Sequence, residues 1–71
     1  MRNIEAAEIL AEFLKINQIS QGAFAKAIDV KQSQVSEWLS GKAKPSYDTL
    51  RKIAIAYDIS ADYLLGIKDY F

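Results

Sequence analysis

The chain has 71 residues, of which 51% are hydrophobic, and its nine basic and nine acidic side chains leave no formal net charge. Its length suits one domain, and the absence of cysteine and histidine excludes disulfides, thiol nucleophiles and the usual zinc ligands, so we expect no metal and no cofactor. No apolar run reaches the roughly 20 residues that cross a bilayer, and the charged start of the chain is unlike a signal peptide, so we expect a cytoplasmic protein without a membrane partner.

The first half of the chain has the pattern of two amphipathic helices. The first is predicted over residues 4–16, which are rich in strong helix formers, and its inner face consists of Ala7, Leu10, Ala11 and Leu14. Ser20 is a good N-cap for a second helix over residues 21–28, whose inner face consists of Phe24, Ala25 and Ile28. Aspartate tolerates left-handed backbone, so we expect the chain to reverse its direction at Asp29, the next residue.

Three more helices are predicted in the second half. The third covers residues 32–39 and ends before Gly41; its inner side consists of Val35, Trp38 and Leu39. After a loop, Ser46 caps a fourth helix over residues 47–57. Its inner face consists of Leu50, Ile53, Ala54 and Tyr57. Ser60 caps a short fifth helix over residues 61–65, which Gly66 ends. The chain therefore reads as a single all-α domain over residues 1–71.

The chain has more large apolar side chains than so small a core can hold. The following side chains cannot all enter it: Ile4, Ile9, Ile16, Ile55, Tyr63, Ile67, Tyr70 and Phe71. A cluster of exposed apolar side chains marks a partner surface. The short tail over residues 67–71 is therefore predicted to form a dimer or protein-binding surface through Ile67, Tyr70 and Phe71.

Residues 20–40 hold the pattern most informative about function. Two short helices are joined by a tight turn, and the small side chain of Ala25 lets the second helix cross close above the first. The second helix then presents a polar outer edge of small and amide side chains. A helix that enters the major groove of DNA needs such an edge. No phosphate-binding loop, ligand cluster or activated nucleophile is present, so we do not expect an enzyme.

A family resemblance is carried by three segments: Ser20–Ala25 (SQGAFA), Val30–Ser46 (VKQSQVSEWLSGKAKPS) and Ile59–Gly66 (ISADYLLG). Together they resemble the Cro/repressor helix-turn-helix family of phages and bacteria, over about residues 6–67. The resemblance implies a compact five-helix, lambda-repressor-like bundle. It also implies binding to double-stranded operator DNA, usually as a homodimer on a two-fold symmetric site.

The resemblance also implies roles for individual side chains. Gln32, Ser33 and Glu37 match the base-facing positions, and a glutamine amide can bond adenine N6 and N7 together. Gln21 would meet a phosphate and brace Gln32. The remaining predicted phosphate contacts are Lys26, Lys31, Lys42 and Lys44.

Three positions depart from the family pattern. Asp29 stands where the turn usually has glycine. Leu14 and Leu39 stand where the family often has an arginine and a glutamate that pair across the core. We expect an apolar contact between these leucines, a replacement for an ion pair that can be neutral or stabilising.

Two functional hypotheses follow. Residues 21–52 carry six basic and three acidic side chains, whereas both flanking segments are net negative, and a basic centre suits DNA. The first hypothesis is therefore a phage-type transcriptional regulator that reads operator DNA through the third helix. The second is a phage antirepressor of the same fold that binds a partner repressor protein instead of DNA. Zero net charge and Glu37 on the reading edge favour the second somewhat.

Overall fold

The computed structural model describes residues 6–66, and within them five helices follow one another without any strand. The helices are α1 (Ala6–Ile16), α2 (Gln21–Ala27), α3 (Gln32–Leu39), α4 (Tyr47–Tyr57) and α5 (Ala61–Leu64). The all-α, five-helix prediction is confirmed. Two predicted ends are one residue too late, because Ile28 and Leu65 are the C-caps of α2 and α5. None of these helices is long and apolar enough to span a bilayer.

Three serines begin helices as the sequence predicts. The hydroxyl of Ser20 accepts a hydrogen bond from the backbone N–H of Ala23 at 3.1 Å. Ser46 accepts from the N–H of Thr49 at 3.2 Å, and Ser60 accepts from the N–H of Asp62 at 3.0 Å. Each bond satisfies a donor that the first turn of a helix leaves unpaired.

Three helices end in the same way, on a residue with left-handed backbone that is not glycine. These residues are Gln18, Asp29 and Asp58, with φ values of 54°, 58° and 51°. In each case the next backbone N–H reaches back to a carbonyl five residues earlier; at the turn between α2 and α3, Val30 donates to Ala25 at 3.0 Å. The predicted reversal at Asp29 is confirmed, and it fixes how α3 leaves α2.

Replacing Asp29 by glycine is expected to stabilise the domain by about 0.5–1 kcal/mol. Left-handed backbone costs a residue with a Cβ roughly 1–2 kcal/mol, and the greater freedom of glycine in the unfolded chain offsets part of that gain. Urea unfolding followed by circular dichroism measures the change. Ala27→Gly, at an exposed helical position two residues earlier, should instead lower the free energy of unfolding by about 1 kcal/mol. An Asp29→Gly protein less stable than the parent would contradict the argument.

One core joins all five helices. Helix α1 packs against α3 and α5, α2 packs against α3, and α4 packs against α5. The buried side chains are Ile9, Leu10, Phe13, Leu14, Phe24, Ala25, Ile28, Val35, Trp38, Ile53, Tyr63 and Leu64. Leu39 packs against the edge of this core. Leu14 is thus in the core and Leu39 packs against it, whereas the predicted contact between these two leucines stays a prediction.

The core differs from the prediction in α1. Ala11, expected on the inner face, is exposed, whereas Ile9 is only 2% exposed. Ile9 and Tyr63, which is 0% exposed, are two of the apolar residues that cannot all enter the core, and both are in it. The inner face of α1 is rotated toward Ile9 and Phe13, because burying large side chains removes more apolar area from water than burying alanine. Ile16 and Ile55 belong to the same set and are exposed, which confirms that not all of these residues enter the core.

Aromatic rings connect α2 and α4 to α1. The ring of Tyr57 stacks on Phe24 with centroids 5.6 Å apart, and it meets the edge of Phe13 at 5.4 Å. Burial raises the pKa of the Tyr57 phenol above its usual value. The buried Tyr63 hydroxyl lies 3.4 Å from the carbonyl oxygen of Ile9, to which it donates. The Phe24–Tyr57 stack thus packs α2 against α4, and the Tyr63–Ile9 hydrogen bond joins α5 to α1.

Candidate nucleic-acid interface

The inner side of α3 is fixed and its outer side is free. Val35 is fully buried and Trp38 is 5% exposed, both against the core that includes Ala25 of α2. The outward side chains at the start and middle of α3 are all exposed, namely Lys31, Gln32, Ser33, Gln34, Ser36 and Glu37. A rigidly held helix with a polar outer face is the geometry that major-groove reading requires.

The three predicted base-contacting residues share one stripe of α3. Successive helical residues are about 100° apart, so Gln32, Ser33, Ser36 and Glu37 lie along the same exposed side. Ser36 is not among the predicted site residues, although its spacing of three and four residues from Ser33 and Gln32 places it on the same side of the helix.

Gln21 is held by α3, but not through the predicted partner. The hydroxyl of Ser36 donates a hydrogen bond to the Oε1 atom of Gln21 at 2.7 Å, across 15 residues of sequence. The prediction that Gln21 braces Gln32 is therefore wrong in its partner. Ser36 lies one turn further along α3, and its short hydroxyl reaches the half-buried Gln21 side chain from there.

Gln32 lies against Gly22, the second residue of α2. A Cβ atom built on Gly22 would lie 3.4 Å from the Oε1 atom of Gln32. That separation is an ordinary van der Waals contact, so the Gln32 amide packs closely against the start of α2 at the α2–α3 crossing. Sequence spacing alone gives no sign of this contact, because it depends on how the two helices cross.

The loop after α3 folds back onto the end of that helix. The carbonyl oxygen of Glu37 accepts backbone hydrogen bonds from Lys42 at 2.9 Å and from Ala43 at 3.2 Å, and a third from the Ser40 hydroxyl at 3.0 Å. Gly41 makes the turn with a φ of 80°. Lys42 and Lys44 are exposed in this loop. These two lysines, which are predicted to contact DNA phosphates, therefore lie beside the end of α3.

The structure separates the remaining predicted phosphate contacts. Lys31 is exposed directly before α3, next to the reading stripe. Lys26 is exposed in the last turn of α2, five residues after Gln21 and therefore about 140° around the helix from it. Lys31 joins the candidate interface, whereas Lys26 lies toward its margin.

Comparison with known proteins identifies the family of this chain. A helix-turn-helix family model matches residues 10–64. The chain belongs to the Cro/repressor-type helix-turn-helix family. It is also similar to an uncharacterised HTH-type transcriptional regulator of Bacillus subtilis (strain 168), YobD, with 30% identity over 60 residues. The match covers 84% of this chain and 54% of YobD, so the chain spans about half the length of that relative. No solved structure matches the chain.

A second surface of this helix-turn-helix domain is apolar. Tyr47, Ile55 and Leu65 are 83%, 70% and 60% exposed, and they line a groove between α4 and α5 with Leu50, Arg51, Ala54 and Ala61. Ile67, Tyr70 and Phe71, the predicted partner surface, lie outside the described residues. Ile55 is one of the apolar residues that could not all be buried, but its place in a groove with Tyr47 and Leu65 was not predicted.

Proposed function

We propose that this domain is a sequence-specific transcriptional regulator that reads operator DNA through α3. The observation that carries the proposal is the exposed stripe of Gln32, Ser33 and Glu37 on a helix whose other side is locked in the core. Membership of the helix-turn-helix family and similarity to an HTH-type transcriptional regulator support it.

The proposal gives each side chain a role that its chemistry allows. The Gln32 amide bonds both N6 and N7 of an adenine, and Glu37 accepts from a cytosine amino group. The Ser33 hydroxyl can bond a donor or an acceptor on a base edge. Phosphate contacts come from Gln21 and from the exposed lysines, principally Lys31, Lys42 and Lys44. Phosphate contacts position the protein, and base contacts choose the sequence.

We further propose that two copies bind one two-fold symmetric site. The domain measures 30 × 25 × 23 Å across its Cα atoms. Two copies in contact therefore have centres about 25–35 Å apart, which matches the roughly 34 Å between half-sites one DNA turn apart. The groove lined by Tyr47, Ile55 and Leu65 is the apolar surface on the described residues that a second copy can cover.

A salt series on a mixed-sequence duplex tests the DNA proposal. We expect log K to fall linearly with log[salt], because each neutralised phosphate releases counterions. Lys42→Ala should reduce the magnitude of that slope by about 0.9. Lys52→Ala is the matched control: Lys52 lines a shallow groove at the opposite end of α2 from Gln21, and its loss should leave the slope unchanged. A titration of a duplex that carries the two-fold symmetric site gives the stoichiometry, expected to be two chains per duplex.

The antirepressor is the second candidate function, and Glu37 is the observation that favours it. Its exposed carboxylate lies on the reading stripe, where phosphates would repel it, and the chain has no basic excess to offset this repulsion. Under this reading α3 packs against a partner repressor protein. Absence of any binding to DNA at low salt would exclude the regulator proposal and leave the antirepressor.

A further inference from the structure

We propose that Ser36 is a positioning residue for DNA binding: it holds the Gln21 side chain so that the amide N–H groups of Gln21 face a phosphate. The inference rests on the proposed DNA-binding function. Ser36 would not touch the phosphate itself; it would act through Gln21, which makes the contact. It also separates the tasks of the two glutamines at the α2–α3 crossing.

The hydrogen bond between Ser36 and Gln21 determines which atoms of the Gln21 amide remain available to a phosphate. The Ser36 hydroxyl donates to Oε1 at 2.7 Å, so the oxygen of the amide is occupied and faces α3. The two N–H donors sit on the other branch of the planar amide group. Within residues 6–66 these donors have no hydrogen-bond partner. They are therefore available to an acceptor outside the chain, and a phosphate oxygen is the acceptor that DNA presents beside a helix in the groove.

The Gln32 amide lies beside Gly22 and not on the bonded oxygen of Gln21. Its Oε1 atom would be 3.4 Å from a Cβ atom built on Gly22, an ordinary van der Waals separation, so this placement does not depend on glycine. Ser36 holds the Gln21 oxygen, and the amide of Gln32 stays available for a base edge.

A double-mutant cycle on two duplexes tests the inference. One duplex carries the preferred site selected from a random pool, and the other has mixed sequence. Ser36→Ala should weaken binding about three- to tenfold, the usual range for one hydrogen bond. Because a phosphate contact carries no sequence information, the loss should be equal on both duplexes. Gln21→Ala should show a similar loss, and the double variant should bind no more weakly than Gln21→Ala alone.

Two conservative variants separate positioning from a general structural effect. Ser36→Thr keeps the hydroxyl and should bind like the parent. Gln21→Glu keeps an oxygen that accepts from Ser36 but turns a negative charge toward the phosphate, so it should bind more weakly than Gln21→Ala. Thermal unfolding of each variant shows whether the fold is retained; both positions lie outside the core, and we expect little change.

Four results would overturn the inference while leaving the proposed function intact. They are additive losses in the cycle, no loss in Ser36→Ala, Gln21→Glu binding as tightly as the parent, and a loss confined to the preferred duplex. The last would mean that Ser36 reads a base directly. If the parent protein fails to bind either duplex at low salt, the proposed function itself fails.

Discussion

Phe24→Ala is expected to lower the free energy of unfolding by about 3–5 kcal/mol, the usual cost of removing a buried aromatic ring. Phe24 is completely buried, and its ring stacks on Tyr57 at 5.6 Å. At about 0.05–0.15 kcal/mol per residue, a chain of this length has a total stability of roughly 4–11 kcal/mol. The substitution therefore removes much of that stability, and at the lower end of the range it leaves the domain largely unfolded at 37 °C.

Urea unfolding followed by far-ultraviolet circular dichroism measures this loss. Phe24→Leu keeps most of the volume but not the stacked ring, so it should cost clearly less than alanine. Tyr47→Ala removes a ring of similar size that is 83% exposed, and it should change stability by about 0.5 kcal/mol or less. If Phe24→Ala were no more harmful than Tyr47→Ala, the core would not depend on the α2–α4 contact.

The helices were predictable because their ends are coded by neighbouring residues. Ser20, Ser46 and Ser60 each bond a backbone N–H two or three residues further along the chain, and Gly41 adopts the positive φ that follows α3. Such signals need no knowledge of tertiary structure. Asp29 was predictable for the same reason.

The face of α1 and the burial of Tyr63 were not predictable locally. Alanine and leucine spacing in α1 allows two neighbouring faces, and only packing against α3 and α5 chooses the one with Ile9 and Phe13. Tyr63 belongs to a helix of four residues, too short to show a periodic pattern. Its hydroxyl meets Ile9, which is 54 residues away in sequence. A partner at that distance cannot be read from the residues around Tyr63.

The candidate site divides in the same way. The exposed side of α3 follows from helical spacing and from the large residues on its other side. The choice of Gln32, Ser33 and Glu37 as base-contacting positions came from the family resemblance and stays a prediction. The Ser36–Gln21 bond and the Gln32–Gly22 contact depend on how α2 and α3 cross and on the directions of the side chains. The resemblance to a family predicts which positions face DNA. It does not predict the side-chain rotamers, which decide which polar atoms form hydrogen bonds with each other.

The zero net charge also bears on how this domain would find its site. Sequence-independent affinity for DNA comes from neutralised phosphates, and this chain has few basic residues to spare for that purpose. The proposed regulator therefore depends more heavily on base contacts than a strongly basic domain does. Among the stripe residues, Gln32 is the one that can make two hydrogen bonds to one base without bringing a negative charge near the phosphates.

Gln32→Ala is accordingly expected to cost about 1–3 kcal/mol on the preferred duplex, roughly a five- to hundredfold loss of affinity. Preference should relax at one base pair in each half-site, whereas affinity for mixed-sequence DNA and the salt slope should hardly change, because the lost side chain is neutral. Binding-site selection with the parent and the variant, followed by affinity measurements on both duplexes, checks each part.

Gln34→Ala is the matched control for Gln32→Ala, since both remove an exposed glutamine from the first turn of α3. Gln34 points about 200° away from Gln32, and its Oε1 atom accepts from the Lys31 N–H at 3.1 Å. Its loss should lower helix stability slightly and leave sequence preference unchanged. If the two variants behaved alike on every sequence, Gln32 would not read a base. A protein that still chose its site would then have to do so through Ser33 or Glu37, which lie on the same stripe.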